Sequence, residues 1–206
     1  MAEARDDRLL FIVNPKAGTG SRDPARLIES YVGDRSNWEF RMTESAGDAT
    51  RLAEDGVASG CDAVVAAGGD GTLNEVGRAL IGTGVPMGVI PAGSGNALAG
   101  ALGISLDWRA ACKQLSAGRV RSIDVGRFGC ETFLSTAGAG LDAEVCWRFN
   151  HRSGRRGIVP YIKHSVGGFL SYKAKPVRIY LDGSEEGIEI RPTLLTVANT
   201  PTFGYG

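Results

Sequence analysis

Four short segments, the apolar runs 9–13, 63–67 and 87–90 and residues 38–43, each lead into a loop rich in Gly, Asn, Ser or Thr. Each loop then gives way to a stretch with helical spacing. Runs this short have the length of strands rather than helices. The helical stretches are 24–32, opened by Asp23-Pro24, and 47–58, with Ala49, Leu52, Ala53 and Val57 on one face. They continue with 72–81, 96–102 and a helix capped by Asp107 that ends near Gly118. Strand–helix alternation at this pace predicts an α/β fold: a parallel sheet with helices on both faces, three layers in all. Ligands of such sheets bind at the carboxyl ends of the strands, where all four loops would lie.

The pattern changes near residues 120–126. Residues 119–128 and 132–135 read as strands, and a helix runs through Ile162, Val166, Phe169 and Leu170. Residues 177–181, 188–190 and 194–198 follow with strand character, the first with alternating apolar and polar residues. The expected division is 1–124, an α/β nucleotide-binding domain, and 125–206, part of a β-rich antiparallel substrate domain. The closing ANTPTFGYG follows directly on a strand, so the reading expects a sheet with an open edge and a C-terminally incomplete chain.

Composition removes several classes. Lys+Arg and Asp+Glu are 23 each, which argues against a nucleic-acid binder. No apolar run approaches the roughly 18 residues of a transmembrane helix. Cys61, Cys112, Cys130 and Cys146 form no CxxC pair, and with only His151 and His164 a zinc site is not expected. Free thiols fit a reducing, cytoplasmic setting. Glycine, 30 of 206 residues, is about twice its usual share of about 7%.

Many of those glycines sit in the loops. Gly68-Gly69-Asp70-Gly71-Thr72-Leu73-Asn74-Glu75 combines close backbone access with a helix start that favours an anion. Thr72 and Glu75 have the spacing of a capping box. Asp70 is the odd member, since a carboxylate beside phosphates repels them unless Mg²⁺ intervenes or it orients donors. Pro91-Ala92-Gly93-Ser94-Gly95-Asn96 is a second such loop, in which Ser94 or Asn96 serves as donor or N-cap. Asn14-Pro15-Lys16-Ala17-Gly18 offers a cation, and Thr43 a hydroxyl. A capped glycine turn explains any one loop; four on one edge favour a phosphate-binding cleft. GxxxxGK[ST], GxGxxG, HRD, DFG and GxSxG are all missing.

Taken together, Asn-Pro-x-x-Gly, GGDGTLNEV, PAGSGNALAGALG and Ile123-Asp124-Val125-Gly126 resemble the catalytic domain of the diacylglycerol kinase and sphingosine kinase family. The likeness extends through GAGLDAE, residues 138–144, to ANTPTFGYG. PAGSGNALA is nearer the sphingosine and ceramide kinases; bacterial diacylglycerol kinases more often carry Gly-Thr-x-Asn-Asp there. The resemblance implies ATP bound between a nucleotide domain and a lipid domain. It implies ATP contacts from Asn14, Pro15, Lys16, Ala17, Gly18, Thr43, Gly69, Asp70, Gly71, Thr72, Leu73, Asn74, Glu75 and Ser94. Asp70 would organise Mg²⁺ and phosphate, and Asp124 would join the same polar network as a catalytic residue. Asp142 or Glu144 would hold the lipid head group, with Glu144 a fallback for the base; a solvated pair at a helix start is the plain alternative. The family's later Asp-Gly-x-Leu-Asp and Asp-Gly-Glu segments, the second holding its general base, do not occur here. Asp182-Gly183-Ser184-Glu185 reads as a hairpin turn instead.

The expected activity is transfer of the ATP γ-phosphate to a lipid hydroxyl, of a diacylglycerol or a long-chain amino alcohol. The expected lack of the late base predicts little turnover by the 206-residue chain alone. Two rivals are a kinase for a soluble substrate such as NAD and a truncated, non-catalytic nucleotide-binding module. Arg148, Arg152, Arg155, Arg156, Lys163 and Lys173, interleaved with Trp147, Phe149 and Tyr161, suggest a peripheral contact with anionic membrane; a solvated basic face explains them as well. A dimer is compatible with this reading.

Overall fold

The structure, a computed structural model, describes residues 7–17, 24–33, 36–115, 117–141, 143, 174–181 and 184–201. The first half alternates as the apolar runs predict. Its elements are β1 (Leu9–Val13), α1 (Pro24–Val32), β2 (Trp38–Met42), α2 (Asp48–Ala58), β3 (Ala63–Gly68), α3 (Asp70–Leu80) and β4 (Met87–Pro91). Two helices follow, α4 (Ala97–Ala101) and α5 (Trp108–Leu115). The four strands form one parallel sheet in the order β2-β1-β3-β4.

Alternate residues of each strand point to opposite faces, and both faces are covered. Leu10, Ile12, Val64, Ala66 and Val89 pack with Ala49 and Leu52 of α2, Leu73 and Val76 of α3, and Leu98 of α4. Phe11, Val13, Val65, Ala67 and Ile90 pack on the other side with Ile28 of α1 and Trp108 and Cys112 of α5. Phe11 stacks on Phe40 at a ring separation of 4.4 Å, which pins β2 against β1. The Asp107 cap forms as expected, its carboxylate accepting from the Arg109 N–H at 3.2 Å.

Beyond α5 the chain departs from the sequence reading. The expected strand over 119–128 shrinks to β5 (Gly126–Phe128), paired antiparallel with β6 (Glu131–Phe133). Residues 117–125 are irregular, and Val120 is 81% exposed. The β-branched Val120, Ile123 and Val125 mimic a strand, but no neighbouring strand pairs with them among the described residues. A strand that the sequence reading does not separate, β7 (Thr136–Gly140), pairs with β10 (Leu194–Ala198). β8 (Val177–Ile179) and β9 (Ile188–Ile190) pair antiparallel, as the alternation predicts.

Compactness divides the chain into residues 1–135 with 198–206, and residues 136–197. The first unit holds the parallel sheet, its helices, β5 and β6. The second holds β7, β8, β9 and nearly all of β10. The expected helix through Ile162 and the basic cluster from Arg148 to Lys173 lie outside the described residues, as do Asp182 and Gly183.

Candidate functional site

Strand register brings the loops to one edge. Val13 is level with Met42 and Ala67, and Gly68 with Pro91. The ladders run one step further through Asn14 N to Ala67 O, Thr43 N to Val13 O and Ala92 N to Gly68 O, at 2.9, 3.0 and 2.8 Å. The chain runs outward from β1 to β2 on one side and returns to β3 on the other. The sheet therefore reverses direction between β1 and β3, where open α/β sheets form their ligand crevice. The loops after β1 and β3 flank that point.

Side chains then tie these loops together. Asn14 Oδ1 accepts from Lys16 N at 2.9 Å, and Asn14 Nδ2 donates to Thr72 Oγ1 at 3.1 Å, across the reversal. The loops after β3 and β4 touch through backbone. A Cβ on Gly93 would stand 2.4 Å from Gly69 Cα, so no side chain fits there. Asn96 holds the Gly93 turn with both ends of its amide. Its Oδ1 accepts from Gly93 N at 2.9 Å, and its Nδ2 donates to Gly93 O at 2.8 Å. That geometry places Asn96 in the left-handed region at φ 56°, and its side chain makes no cap bond to α4. The N-cap role read for Asn96 is thus replaced by a turn-bracing one.

Asp70 completes the link. Its Oδ1 accepts from Leu98 N, in the first turn of α4, at 3.2 Å. Its Oδ2 lies over Gly95, where a Cβ would stand 3.0 Å away. The carboxylate therefore orients a backbone donor at the start of α4, one of the two roles the sequence leaves open for it. One oxygen remains without a hydrogen-bond partner among the described residues.

The capping box expected from Thr72 and Glu75 does not form. Helix α3 starts two residues earlier, at Asp70, with Gly69 extended at its N-cap position. Thr72 is only 7% exposed, and its hydroxyl accepts from Asn14. Glu75 Oε2 reaches the Ala49 N–H at 3.2 Å, so it serves α2 rather than its own helix. Distant partners outcompete the local ones at both residues. Asp48 also serves the start of α2: its Oδ2 accepts from the N–H groups of Glu44 and Ser45 at 2.9 and 2.8 Å. These two backbone bonds, Glu44 first, hold its carboxyl below the usual range.

The remaining candidates divide by exposure. Pro15, Lys16, Gly71 and Ser94 are open to solvent, with Ala17 half-buried beside them. Thr43 is 8% exposed, and the Leu73 side chain is wholly within the core. Asn74 donates from Nδ2 to Thr132 O at 3.4 Å and accepts at Oδ1 from Leu134 N at 3.1 Å. Asp124 is exposed on the wall of a depression of about 390 Å³, lined also by Leu98, Leu102, Arg121, Leu134 and Asn199. Leu98 thus borders this depression while its N–H meets Asp70. Gly18, Asp142 and Glu144 lie outside the described residues. No group of three or more His, Cys, Asp or Glu gathers among the described residues. Asn199 is the residue that sequence reasoning missed. Its Nδ2 donates to Asp124 O and Leu134 O, at 2.7 and 2.9 Å, and a lone Asn in a loop carries no signal of that.

Comparison with known proteins finds relatives of the whole described fold. Residues 8–128 match the family described as diacylglycerol kinase catalytic domain. A diacylglycerol kinase of Mycobacterium tuberculosis is 35% identical over 209 residues, 97% of this chain and 67% of its own. A diacylglycerol kinase of Bacillus subtilis is 32% identical over 191 residues, 90% of this chain and 57% of its own. The crystal structure of a diacylglycerol kinase from Bacillus anthracis superposes with a TM-score of 0.70 at 24% identity. It covers 96% of this chain and 67% of that one. The chain thus spans between about half and two thirds of the length of these relatives.

Proposed function

The chain belongs to the diacylglycerol kinase catalytic domain family, and on that footing we propose that it forms the nucleotide-binding part of a lipid kinase. The reaction is transfer of the ATP γ-phosphate to the hydroxyl of a diacylglycerol or sphingoid-type lipid. One observation carries this reading: three glycine-bearing loops are bonded to one another at the point where the sheet reverses. A polyphosphate needs such a rigid, backbone-lined edge with little negative charge around it. In this reading Asn14 to Gly18, Gly69, Gly71 and Ser94 face the phosphates, with Lys16 as their cation. Residues 1–124 serve the nucleotide and 125–206 the lipid, with Asp142 and Glu144 assigned to its head group.

Mg²⁺ fits the donor set. The ion takes one or two protein carboxylates and fills its shell with phosphate oxygens and water. Asp70 offers one carboxylate oxygen beside the phosphate loops, and no dedicated protein cage is required. When bound, the ion would neutralise charge on the transferring group. The residues supply the rest: Asp70 keeps the loops after β3 and β4 in register, and the backbone of both loops orients the phosphates.

ATP with Mg²⁺ should therefore raise the melting temperature of the chain, by the equivalent of about 2.7 kcal/mol at 100 times Kd. Asp70→Asn, which keeps an oxygen for Leu98 N, should remove the Mg²⁺-dependent part of that shift and leave the rest. Mixed vesicles with labelled ATP, offering diacylglycerol, sphingosine or, as a soluble rival, NAD, identify the acceptor. A melting temperature indifferent to ATP at millimolar concentration refutes the reading.

A further inference from the structure

One side chain of the first unit bridges two carbonyls that lie far before it in sequence. Asn199 Nδ2 donates to Asp124 O at 2.7 Å and to Leu134 O at 2.9 Å. Its backbone N–H donates to Ser135 O at 2.7 Å. Leu134 is held from its other side by Asn74, whose Oδ1 accepts from Leu134 N at 3.1 Å. Both backbone polar groups of Leu134 are thus taken by asparagine amides, one from α3 and one from beyond β10. Leu134 itself is 4% exposed and fills the space above Gly77, where a Cβ would stand 2.4 Å from Leu134 Cδ1. The segment beside Asn199 therefore has no slack.

Asp124 differs. Residues 121–125 are exposed and belong to no strand or helix. An irregular, exposed segment has few contacts to fix its backbone. Among the described residues, the Asn199 bond is the side-chain contact that fixes the Asp124 carbonyl. Fixing that carbonyl on the rigid 134–135 segment also fixes the Asp124 Cα, and with it the wall of the depression that Asp124, Asn199 and Leu98 share. Asparagine suits this task, since one NH₂ carries two donors and can bridge two carbonyls.

We propose that Asn199 is the positioning residue for Asp124. It staples the 121–125 segment to the core so that the Asp124 carboxylate stands at a fixed place beside α4. This deepens the kinase reading and rests on it for the role of Asp124, but the staple itself is independent of any ligand.

The experiment uses the full 206-residue chain and three variants: Asn199→Ala, Asn199→Ser, which keeps one donor, and Asp124→Asn. Trypsin cleavage after the exposed Arg121, read by mass spectrometry of the native chain, needs no nucleotide. It should speed up about tenfold in Asn199→Ala, and less in Asn199→Ser, while cleavage after Arg51 in α2 and Arg78 in α3 stays unchanged. Unchanged cleavage after Arg121 in both Asn199 variants overturns the proposal. Faster cleavage at all three sites overturns it too, because Asn199 would then be a general structural residue.

A second measurement addresses the role of Asp124. The ratio of ATP affinity with Mg²⁺ to that without should fall by a similar factor in Asn199→Ala and in Asp124→Asn. The double variant should fall no further, since both changes remove one function. Additive losses overturn the coupling. If the wild-type chain binds no ATP but the cleavage result holds, the kinase reading fails and the staple stands.

Discussion

Replacing Asn74 with alanine tests whether α3 holds the chain segment after β6 or is merely near it. The amide makes two bonds to that segment, of unequal worth. Leu134 N at 3.1 Å is a good donor in a residue that is 4% exposed, whereas Thr132 O at 3.4 Å is a long contact. Truncation orphans the Leu134 N–H where water has little access. An unsatisfied buried donor costs about 1–3 kcal/mol, and the long contact adds little to that. The expected loss is about 2 kcal/mol, or about 4–8 °C in Tm for a chain of this size. Asn74→Asp keeps the acceptor for Leu134 N and should cost under about 1 kcal/mol. Arg78→Ala is the control on the same helix. Its ion pair to Glu131 is short, 2.6 Å, but the two side chains are 42% and 62% exposed. Such surface pairs contribute about 0–1 kcal/mol. Urea unfolding followed by tryptophan fluorescence reads all three, and an unchanged m-value keeps the comparison on stability. If Asn74→Ala costs less than about 0.5 kcal/mol, or less than Arg78→Ala, then the Leu134 N–H finds another partner and the reasoning is wrong.

Two further outcomes follow from geometry already described. Gly93→Ala places a Cβ 2.4 Å from Gly69 Cα, so the loops after β3 and β4 must separate; ATP affinity should drop about tenfold or more with a stability loss of about 1–3 kcal/mol, and unchanged affinity in isothermal titration would show that their contact is irrelevant to the nucleotide. Cys112 is 1% exposed and burial pushes its thiol up to about 11, whereas Cys130 is exposed. Iodoacetamide at pH 8, followed by peptide mass spectrometry, should label Cys130 about 100-fold or more faster than Cys112, because the thiolate is the nucleophile; similar rates would contradict the burial of α5.

The central sheet was legible because β1, β3 and β4 are short apolar runs bounded by loop residues and buried on both faces, while the edge strand β2 carries charged residues between its apolar ones. Residues 9–13 and 63–67 needed no tertiary information beyond that. The loops were legible as a set through their glycines and their shared place after strands. What the sequence hid is mostly long-range hydrogen bonding. Thr72 and Glu75 have ideal spacing for a local cap, yet each pairs with a residue at least 26 positions away. Residues 119–125 have the β-branched Val120, Ile123 and Val125 of a strand, but residue type does not provide a neighbour to pair with. β7, with the sequence TAGAG, is the reverse case. Its small residues carry no alternation of polarity, and pairing to β10 alone makes it a strand. The long-range bonding of Asn74 and Asn199 bears no local mark, although both lie in segments that carry the family resemblance, since an amide that satisfies distant backbone looks, in sequence, like any other polar residue.

The pinning of Leu134 from both sides has a consequence for the order in which the chain acquires its form. Its N–H partner, Asn74, is made 60 residues earlier, and its C=O partner, Asn199, 65 residues later. On a ribosome adding about 5–20 residues per second, the interval between Leu134 and Asn199 is roughly 3–13 s. The parallel sheet can close within that time, since its strands end at Pro91. Throughout the interval the Asp124 and Leu134 carbonyls await a donor that does not yet exist. The nucleotide loops can therefore be in place on the nascent chain before the wall that carries Asp124 is locked. That wall is locked by a single amide that arrives late.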